Sequence, residues 1–527
     1  MKTVTKVVFS NVTNDGVERK RDQAELIVRC MQCDSCDGHC FKNFQQLALA
    51  DWEGRPAMEP TAWVPGIPLE MTVAAPASHR DLVISSSGQQ QLKLVEANID
   101  HEYAVEVFKQ AAESFKDKHD QMDMKIHLFP ASMEDLAAKY AAPDVVSIGP
   151  YHHGRTLALQ QMESTKHVAA WHFINDSDCS VEEVYGAVCE IADEARSHYD
   201  EDKVRGIGDD DFKPMMFYDG CFLLQFILHC SGGAVDPLLG SAFSSDDNGI
   251  ARDVGLLENQ LPWVVVETLM RFMPAPLDLV KFTGNVKDSL QARQQLEDVP
   301  IPWDNTYTPP HLLGLLRYYI VGSTHAGTVS SKPLSEKAKK FSISVSAIEL
   351  AEIGIEITAT KSTAGLKEMG IDSKASLISG ELCLAPVSLD HGNASFLVNM
   401  AALELCTTPD FFEYDEDRST VCSYLCLLGM VTDSENDVQE LRKKHILQGG
   451  AGLANSDALD LFTSLEKHLR PGSAYLRIMS DIENYKIHRS VRTKVYRFGY
   501  KNFKTIAKVA AAIVAFGGFL GTLKSLK

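Results

Sequence analysis

The chain has 527 residues, of which 45% are hydrophobic and 23% are charged, and its formal net charge is −20. A chain of this length is expected to fold as about two to four domains. The composition is globular and excludes a wholly disordered, collagen-like or polytopic membrane protein. The negative charge argues against binding through neutralised phosphates, so no nucleic-acid partner is predicted.

The net charge hides a basic C-terminal segment. Residues 486–527 contain ten basic residues and no acidic residue. The rest of the chain therefore holds 41 basic and 71 acidic residues, a net charge of −30. A basic segment next to an apolar run favours binding to an anionic membrane lipid.

Residues 1–122 are predicted to be an N-terminal extension that is disordered over much of its length. Five prolines fall between Pro56 and Pro76, and serine and glutamine runs follow at residues 85–91. Such composition disfavours helices and strands. Helical spacing is found only near the end of this segment, over residues 104–118.

Four cysteines, Cys30, Cys33, Cys36 and Cys40, form the densest candidate metal site within this extension. Thiolates at this spacing can bind Zn²⁺ or contribute to an iron–sulfur cluster. However, Phe41 stands where the ferredoxin pattern has proline, and no second run exists to supply a partner cluster. Exposed, redox-active or palmitoylated thiols are the favoured alternative, so no metal is predicted here.

A helical body is predicted over residues 123–498. In its first half, apolar spacing predicts helices over residues 155–174, 180–199, 215–230, 251–273 and 311–320. Ser180 is expected to cap the second of these helices. Pro262 is expected to divide the fourth into two pieces, because proline lacks the amide hydrogen of a helix interior.

The second half of the body begins after a predicted linker, residues 321–340, which is rich in Ser, Gly, Lys and Thr. Alternation at residues 355–358 and 382–384 predicts a two-stranded sheet. Helical spacing returns over residues 395–406, 420–431, 435–445, 456–469 and 473–498. The predicted fold class is mainly α, a multi-helix body with a minor β element and a C-terminal hydrophobic helix.

Residues 499–527 are predicted to be a basic approach followed by one transmembrane helix. No charge occurs from residue 509 to residue 523, and extension back to residue 505 adds only Lys508, whose ammonium can reach the headgroups. The predicted membrane residues are Val509, Ile513, Phe516, Gly517 and Gly521, and the two glycines form a pair that can seat a partner helix. The alternative is a terminal amphipathic or buried helix. Basic residues before the apolar run predict a cytosolic body, with the plasma membrane as the expected location.

Asp219, Glu258 and His311 are polar residues within apolar surroundings, and His152 lies in the run 145–154. A buried carboxylate beside a histidine can form an acid–base pair. More often such groups cap helices or satisfy backbone donors. Neither a nucleophile elbow nor a phosphate-binding glycine loop occurs in the sequence. No catalytic residue, cofactor or enzyme activity is therefore predicted, and an enzyme with these four residues is the alternative.

Several ordered segments together resemble the plant family called "domain of unknown function 247". They are Val145–Gly154, Asp219–Phe222, Leu256–Trp263, His311–Arg317, Ala347–Ile355, Asn399–Glu404 and Ser423–Tyr424 before Asp433–Ser434. The likeness runs from about residue 125 to the C-terminus. In addition, Lys125–Pro130 and Lys166–Ala170 resemble the grass branch, in which some members are associated with pollen–stigma self-incompatibility.

The resemblance implies a plant protein with a helical body, a C-terminal membrane helix and no established catalytic activity. The leading hypothesis is a membrane-attached protein that acts by recognition or signalling through a protein partner of unknown identity. An enzyme built on Asp219, Glu258 and His152 or His311 is the second hypothesis. A redox or metal sensor built on the N-terminal cysteines is the third.

Overall fold

The computed structural model describes residues 103, 105–110, 121–291, 301–322, 345–360, 365–372, 380–411, 416–449, 453–488, 502, 505 and 507–515. All of them belong to one compact unit, Ile99–Lys527. The cysteines at 30–40, most of the predicted linker, and Phe516, Gly517 and Gly521 lie outside the described residues. The predicted domain boundaries near residues 122 and 498 stay predictions.

The described body is mainly helical, as predicted. Its helices in chain order are α1 (Glu134–Tyr140), α2 (Leu157–Ser177), α3 (Val181–Glu190), α4 (Ala192–Ser197), α5 (Glu201–Val204), α6 (Asp209–Cys230), α7 (Pro237–Ser245), α8 (Asp247–Asp253), α9 (Trp263–Met270), α10 (Leu279–Gln291), α11 (Leu312–Val321), α12 (Ala347–Glu352), α13 (His391–Thr407), α14 (Thr420–Val431), α15 (Glu435–Lys443), α16 (Asn455–Glu466) and α17 (Ser473–His488). Residues 105–110 and 507–515 are also helical.

The first group of helices packs around α6. This helix is buried from Met215 to Phe217 and from Asp219 to Ile227, because its sequence is apolar nearly all round. It packs against α2, α3 and α9. Three aspartates occupy its first turn, where carboxylates interact favourably with the positive end of the helix dipole.

The second group packs around α14, in which every residue is buried. Helices α13, α16 and α17 pack against it. Helix α13 also contacts α8 and α11. It therefore joins the two groups into one continuous hydrophobic core, and buried side chains of both groups belong to the same cluster.

The minor β element is a mixed sheet with the strand order β1–β3–β2, in which the strands are β1 (Ile355–Ala359), β2 (Gly370–Asp372) and β3 (Gly380–Leu384). Strand β3 runs parallel to β1 and antiparallel to β2. The predicted pairing of residues 355–358 with 382–384 is confirmed, but the sheet has three strands rather than two. A separate parallel pair is formed by β4 (Val387–Ser388), which follows β3 along the chain, and β5 (Leu447–Gln448).

Of the two helical pieces predicted over residues 251–273, the second begins directly after Pro262 as expected, but the first ends earlier than predicted. Helix α8 ends at Asp253 and α9 begins after Pro262, so residues 254–262 form a non-helical connection. Within it, the amide group of Gln260 donates to the carbonyl oxygens of Val254 and Leu256 at 2.7 and 2.8 Å. These side-chain bonds replace the backbone bonds that would continue a helix.

Helix α10 was not predicted, because polar residues occupy part of its buried face. Thr283, Lys287 and Gln291 recur at intervals of four residues, and their side chains are only 0%, 4% and 2% exposed. An apolar stripe is the signal by which a helix is recognised in a sequence. Polar residues on the inner face remove that signal.

Candidate functional site

The family-like segments meet in a network of buried polar side chains, and Asp253 begins this network. Its carboxylate accepts hydrogen bonds from the backbone amides of Asp144, Val145 and Val146 at 3.0, 2.7 and 3.0 Å. Arg252 Nη1 lies 2.9 Å from the same carboxylate. Burial raises the pKa of Asp253, and the three amides and Arg252 oppose that shift. Asp253 thus holds residues 144–146, at the start of the run 145–154, against the end of α8.

Asn259 extends the network along the same run. Its Oδ1 accepts the amide hydrogen of Ile148 at 2.7 Å, and its Nδ2 donates to the carbonyl oxygens of Val146 and Asp253 at 3.0 and 2.9 Å. The side chain is fully buried. All of these partners are backbone groups. Asn259 therefore satisfies buried backbone donors and acceptors of residues 146–148, which belong to no helix or strand.

Asp219 lies in the middle of α6 and pairs with Lys166 of α2. The distance from Lys166 Nζ to Asp219 Oδ1 is 2.7 Å, and Glu163 Oε1 lies 2.7 Å from the same ammonium. The second oxygen of Asp219 accepts the amide hydrogen of Gly149 at 2.8 Å. Burial alone lowers the pKa of Lys166, but the two carboxylates outweigh it and raise that pKa. The ammonium is therefore held charged inside the core.

Gly149 is required at this point of the run. Its φ angle is +75°, and a Cβ atom there would lie 2.7 Å from the carbonyl oxygen of Gln260 and 2.8 Å from the hydroxyl of Tyr199. A residue with a side chain is disfavoured in this left-handed conformation and has no space there. The close approach lets Asp219 reach the Gly149 amide.

Glu258 and His152 are brought together, as the enzyme hypothesis requires. The distance between His152 Nε2 and Glu258 Oε2 is 3.0 Å. The other oxygen of Glu258 accepts the amide hydrogen of Phe129 at 2.8 Å. Burial raises the pKa of Glu258, but the close contact with His152 and the hydrogen bond from Phe129 outweigh it and lower that pKa below its usual value. Glu258 therefore holds residues 125–130, at the start of the helical body, against the connection 254–262.

His311 caps a helix instead of contacting one of the candidate carboxylates. It precedes α11, and its Nδ1 accepts the amide hydrogen of Gly314 at 3.2 Å, as the cap of the helix. Its side chain is fully buried, and its Nε2 has no hydrogen-bond partner. Burial lowers the pKa of His311 to about 3. The imidazole is therefore neutral at physiological pH.

The network continues into the second helical group through Asn399 of α13. Its Oδ1 accepts the amide hydrogen of Leu257 at 2.8 Å. Its Nδ2 donates to the carbonyl oxygens of Tyr140 and Ser395 at 2.9 and 2.8 Å. One buried amide side chain thus joins α1, the 254–262 connection and α13.

Glu404, in the last turn of α13, also accepts hydrogen bonds from backbone amides. Its carboxylate accepts the amide hydrogens of Val421 and Cys422 at 3.0 and 2.8 Å, and Arg317 Nη2 lies 2.6 Å away. Burial raises the pKa of Glu404, and Arg317 and the two amides oppose the shift. Glu404 caps the start of α14 and ties it to α11.

Most members of this network were not among the predicted candidates. Sequence reasoning singled out Asp219, Glu258, His152 and His311 as chemical groups. It did not assign roles to Lys166, Asp253, Asn259, Asn399 or Glu404. The family resemblance could have drawn attention to these residues, since all but Asp253 lie in segments that carry it. Most of their partners could not be read from the sequence, because these lie 17 to 259 residues away along the chain.

An open cleft lies elsewhere, at the edge of the three-stranded sheet. Its lining includes Met369, Glu381, Cys383, Arg477 and Asp481. None of the four candidate acid–base residues lines it. Within the described parts of the chain, no group of three or more His, Cys, Asp or Glu side chains is arranged to hold a metal ion.

Two of the predicted membrane residues can be placed. Val509 and Ile513 lie in the helical residues 507–515, with 54% and 66% of their surface exposed. Among the residues that the structure describes, no helix is both long enough and apolar enough to cross a membrane. Membrane attachment therefore stays a prediction.

The comparisons with known proteins agree with the family resemblance. The sequence pattern of the plant family DUF247, described as plant protein of unknown function, matches residues 126–517. The UPF0481 protein At3g47200 of Arabidopsis thaliana is 24% identical to this chain over 363 residues, which are 64% of this chain and 71% of that protein. No solved structure shows significant similarity to the chain. With most of its length matched, the chain belongs to the DUF247 family of plant proteins of unknown function.

Proposed function

We propose that this chain is a membrane-attached protein without catalytic activity that acts by binding another protein. The observation that supports it best is the use of Asp219 and Glu258. Both carboxylates accept backbone amides that lie 70 and 129 residues away along the chain. These bonds hold segments of the body together, which is the task of structural rather than reacting groups.

Asp219 illustrates the argument against catalysis. A general base must come within about 2.6–3.2 Å of the proton that it removes from a substrate. Asp219 is 1% exposed, and its two oxygens already bind Lys166 and the Gly149 amide. A substrate would have to displace one of these partners and enter the core.

The 3.0 Å contact between His152 and Glu258 is the observation that favours the alternative, an enzyme with an acid–base pair. The two readings predict different behaviour of a Glu258→Gln variant. If Glu258 is structural, the variant has a lower melting temperature, and the folded variant still captures the protein partner. An unchanged melting temperature and unchanged partner capture, together with loss of biological activity, would favour the enzyme.

The membrane part of the proposal rests on the C-terminal segment. Val509, Ile513 and Val514 are 54%, 66% and 73% exposed on helical residues 507–515, and the ten basic residues of 486–527 flank the apolar run. Exposed apolar side chains beside clustered Lys and Arg are typical of helices that enter an anionic lipid surface. We propose a single span over residues 505–523, with the body in the cytosol.

Vesicle flotation of the full chain tests this attachment. Vesicles of phosphatidylcholine with phosphatidylserine should carry the intact protein to the top of the gradient, and a chain ending at residue 504 should stay at the bottom. Replacing Lys501, Lys504 and Lys508 by Gln should weaken flotation. The matched control replaces the exposed Lys203, Lys443 and Lys467 instead and should float like the intact chain. Equal flotation of the intact and shortened chains would contradict the proposal.

From the resemblance of Lys125–Pro130 and Lys166–Ala170 to grass members, we propose that the partner acts in pollen–stigma recognition. A pull-down with the full chain from pollen and stigma membranes is the direct test. In the source plant, loss of the gene should allow growth of self pollen tubes. Unchanged rejection of self pollen would remove this part of the proposal and leave the membrane part untouched.

A further inference from the structure

Three buried serine hydroxyls lie around the N-terminus of α17. The side chains of Ser419, Ser423 and Ser473 are 1%, 0% and 5% exposed, and their hydroxyl oxygens have no hydrogen-bond partner among the described residues. Most buried polar atoms in folded proteins are hydrogen-bonded, because burial without a partner costs free energy. Three unpaired hydroxyls at one helix end therefore point to a ligand.

Gly472, the residue before α17, shows where two of these hydroxyls point. A Cβ atom added to Gly472 would lie 2.6 Å from Ser423 Oγ and would also overlap Ser419 Oγ. Ser423 lies one helical turn after Ser419, so both side chains project from the same side of α14. Their hydroxyls therefore lie where the side chain of a capping residue normally meets the first turn of a helix.

Ser419 does not cap its own helix. It directly precedes α14, but its side chain accepts no hydrogen bond from the first turn of that helix. The amides of Val421 and Cys422 donate to the carboxylate of Glu404 instead. The hydroxyl of Ser419 is therefore left to face α17.

The N-terminus of α17 adds unpaired donors to the same place. The first amides of a helix have no partner within the helix and need one from outside. Among the residues that the structure describes, the amides of Ser473, Ala474 and Tyr475 make no hydrogen bond. Gly472, Ser473 and Ala474 are buried, so bulk solvent does not reach this end of the helix. Amide donors and hydroxyl groups thus face each other without a direct bond.

The chemistry of the site favours a neutral ligand that can both donate and accept hydrogen bonds. A cation is disfavoured, because the N-terminus of a helix carries a partial positive charge. A buried anion would need a cation as its partner. However, Arg470 is exposed, and Arg418 pairs with Asp123. Arg477 pairs with Glu416 at 3.1 Å. Water fits the site, since a buried water typically binds about three otherwise unpaired polar groups.

We infer that a structural water molecule binds at the N-terminus of α17 and joins its first amides to the hydroxyls of Ser419 and Ser423. The water holds α17 against α14, the centre of the second helical group. Helix α17 ends at His488, within the first residues of the basic segment 486–527. The bound water therefore stabilises the base of the helix from which the C-terminal segment continues.

Urea unfolding of the full chain in a neutral detergent tests the inference. Ser423→Ala removes one partner of the water and should raise the equilibrium constant of unfolding about five- to thirtyfold. The matched control is Ser395→Ala, at a serine within α13 that is 1% exposed and also has no hydrogen-bond partner among the described residues. Loss of a solitary unpaired hydroxyl should leave the constant unchanged or lower it. Equal behaviour of the two variants would overturn the inference.

A double-mutant cycle tests whether Ser419 and Ser423 share one water. In that case the double variant Ser419→Ala with Ser423→Ala should lose less stability than the two single losses added together. Additive losses would contradict a shared water. A crystal structure of the full chain should show a water within hydrogen-bonding distance of both hydroxyls and of an amide of α17. Direct bonds without a water, or an anion that bromide replaces with an anomalous signal, would also overturn the inference.

Discussion

Lys166 and Asp219 form an ion pair in the core, with 2.7 Å between Nζ and Oδ1 and with 0% and 1% of their side chains exposed. The pair joins α2 to α6, and Asp219 also accepts the amide hydrogen of Gly149 in the run 145–154. Because burial removes both charges from water, neither residue can lose its partner without a large cost.

The first prediction concerns this pair. Lys166→Met should lower the free energy of unfolding by about 3–5 kcal/mol, because it leaves the Asp219 carboxylate buried without a cation. The double variant Lys166→Met with Asp219→Leu should cost less than the single one. Urea denaturation measures both. As a control, Arg205→Gln removes an exposed pair with Glu201 and should cost less than about 1 kcal/mol. Equal losses in Lys166→Met and Arg205→Gln would refute the argument.

The second prediction concerns Asn399. Asn399→Leu leaves the Leu257 amide and the Tyr140 carbonyl without their buried partner. Each unmatched group costs about 1–3 kcal/mol, so urea denaturation should show a clear loss of stability. Asn175→Leu, at an exposed position of α2, is the control and should change stability little. If Asn399→Leu is as stable as this control, the hydrogen bonds of Asn399 between the two helical groups contribute nothing to stability.

The third prediction compares two glycines with positive φ angles. Gly149 and Gly154 have φ of +75° and +68°, but a Cβ atom at Gly154 would meet no atom within 4 Å. In both Ala variants the left-handed conformation should lower the free energy of unfolding by about 1–2 kcal/mol. In Gly149→Ala the clash with Gln260 and Tyr199 should lower it by about 1–3 kcal/mol more. Thermal melting checks the order, and similar losses at the two positions would contradict it.

The fourth prediction concerns pH. Burial lowers the pKa of His311 to about 3 in the folded chain, against 6.5 for an unperturbed histidine. Below pH 6.5 the unfolded chain therefore binds a proton that the folded chain does not bind until about pH 3. Stability should fall by about 1.4 kcal/mol per pH unit over most of this range. His311→Asn keeps a capping side chain and should remove this part of the slope.

Unfolding of wild type and His311→Asn in urea, at pH 7, 6 and 5, provides the measurement. The difference between the two proteins is informative, because His127, whose pKa burial also lowers, contributes equally to both. If the free energy of unfolding falls equally with pH in the two proteins, His311 takes up its proton in the folded state within this pH range.

Much of the architecture followed from local patterns. The helix over residues 420–431 was predicted with its exact ends, since its apolar run lies between polar residues. Ser180 caps α3 as expected and accepts the Glu183 amide at 3.1 Å. The connection 254–262 and helix α10 were not predicted correctly, because side-chain hydrogen bonds and buried polar residues override the apolar period there.

The sequence by itself determined the family, the helical class and which polar residues stand in apolar surroundings, because these depend on residue order along the chain. Only the tertiary structure decided what those residues do. Residue order alone is compatible with an Asp219 that faces a substrate, but folding placed it between Lys166 and the Gly149 amide. The cause is desolvation: a carboxylate inside the core must find its partners among whatever groups the fold brings within hydrogen-bonding distance.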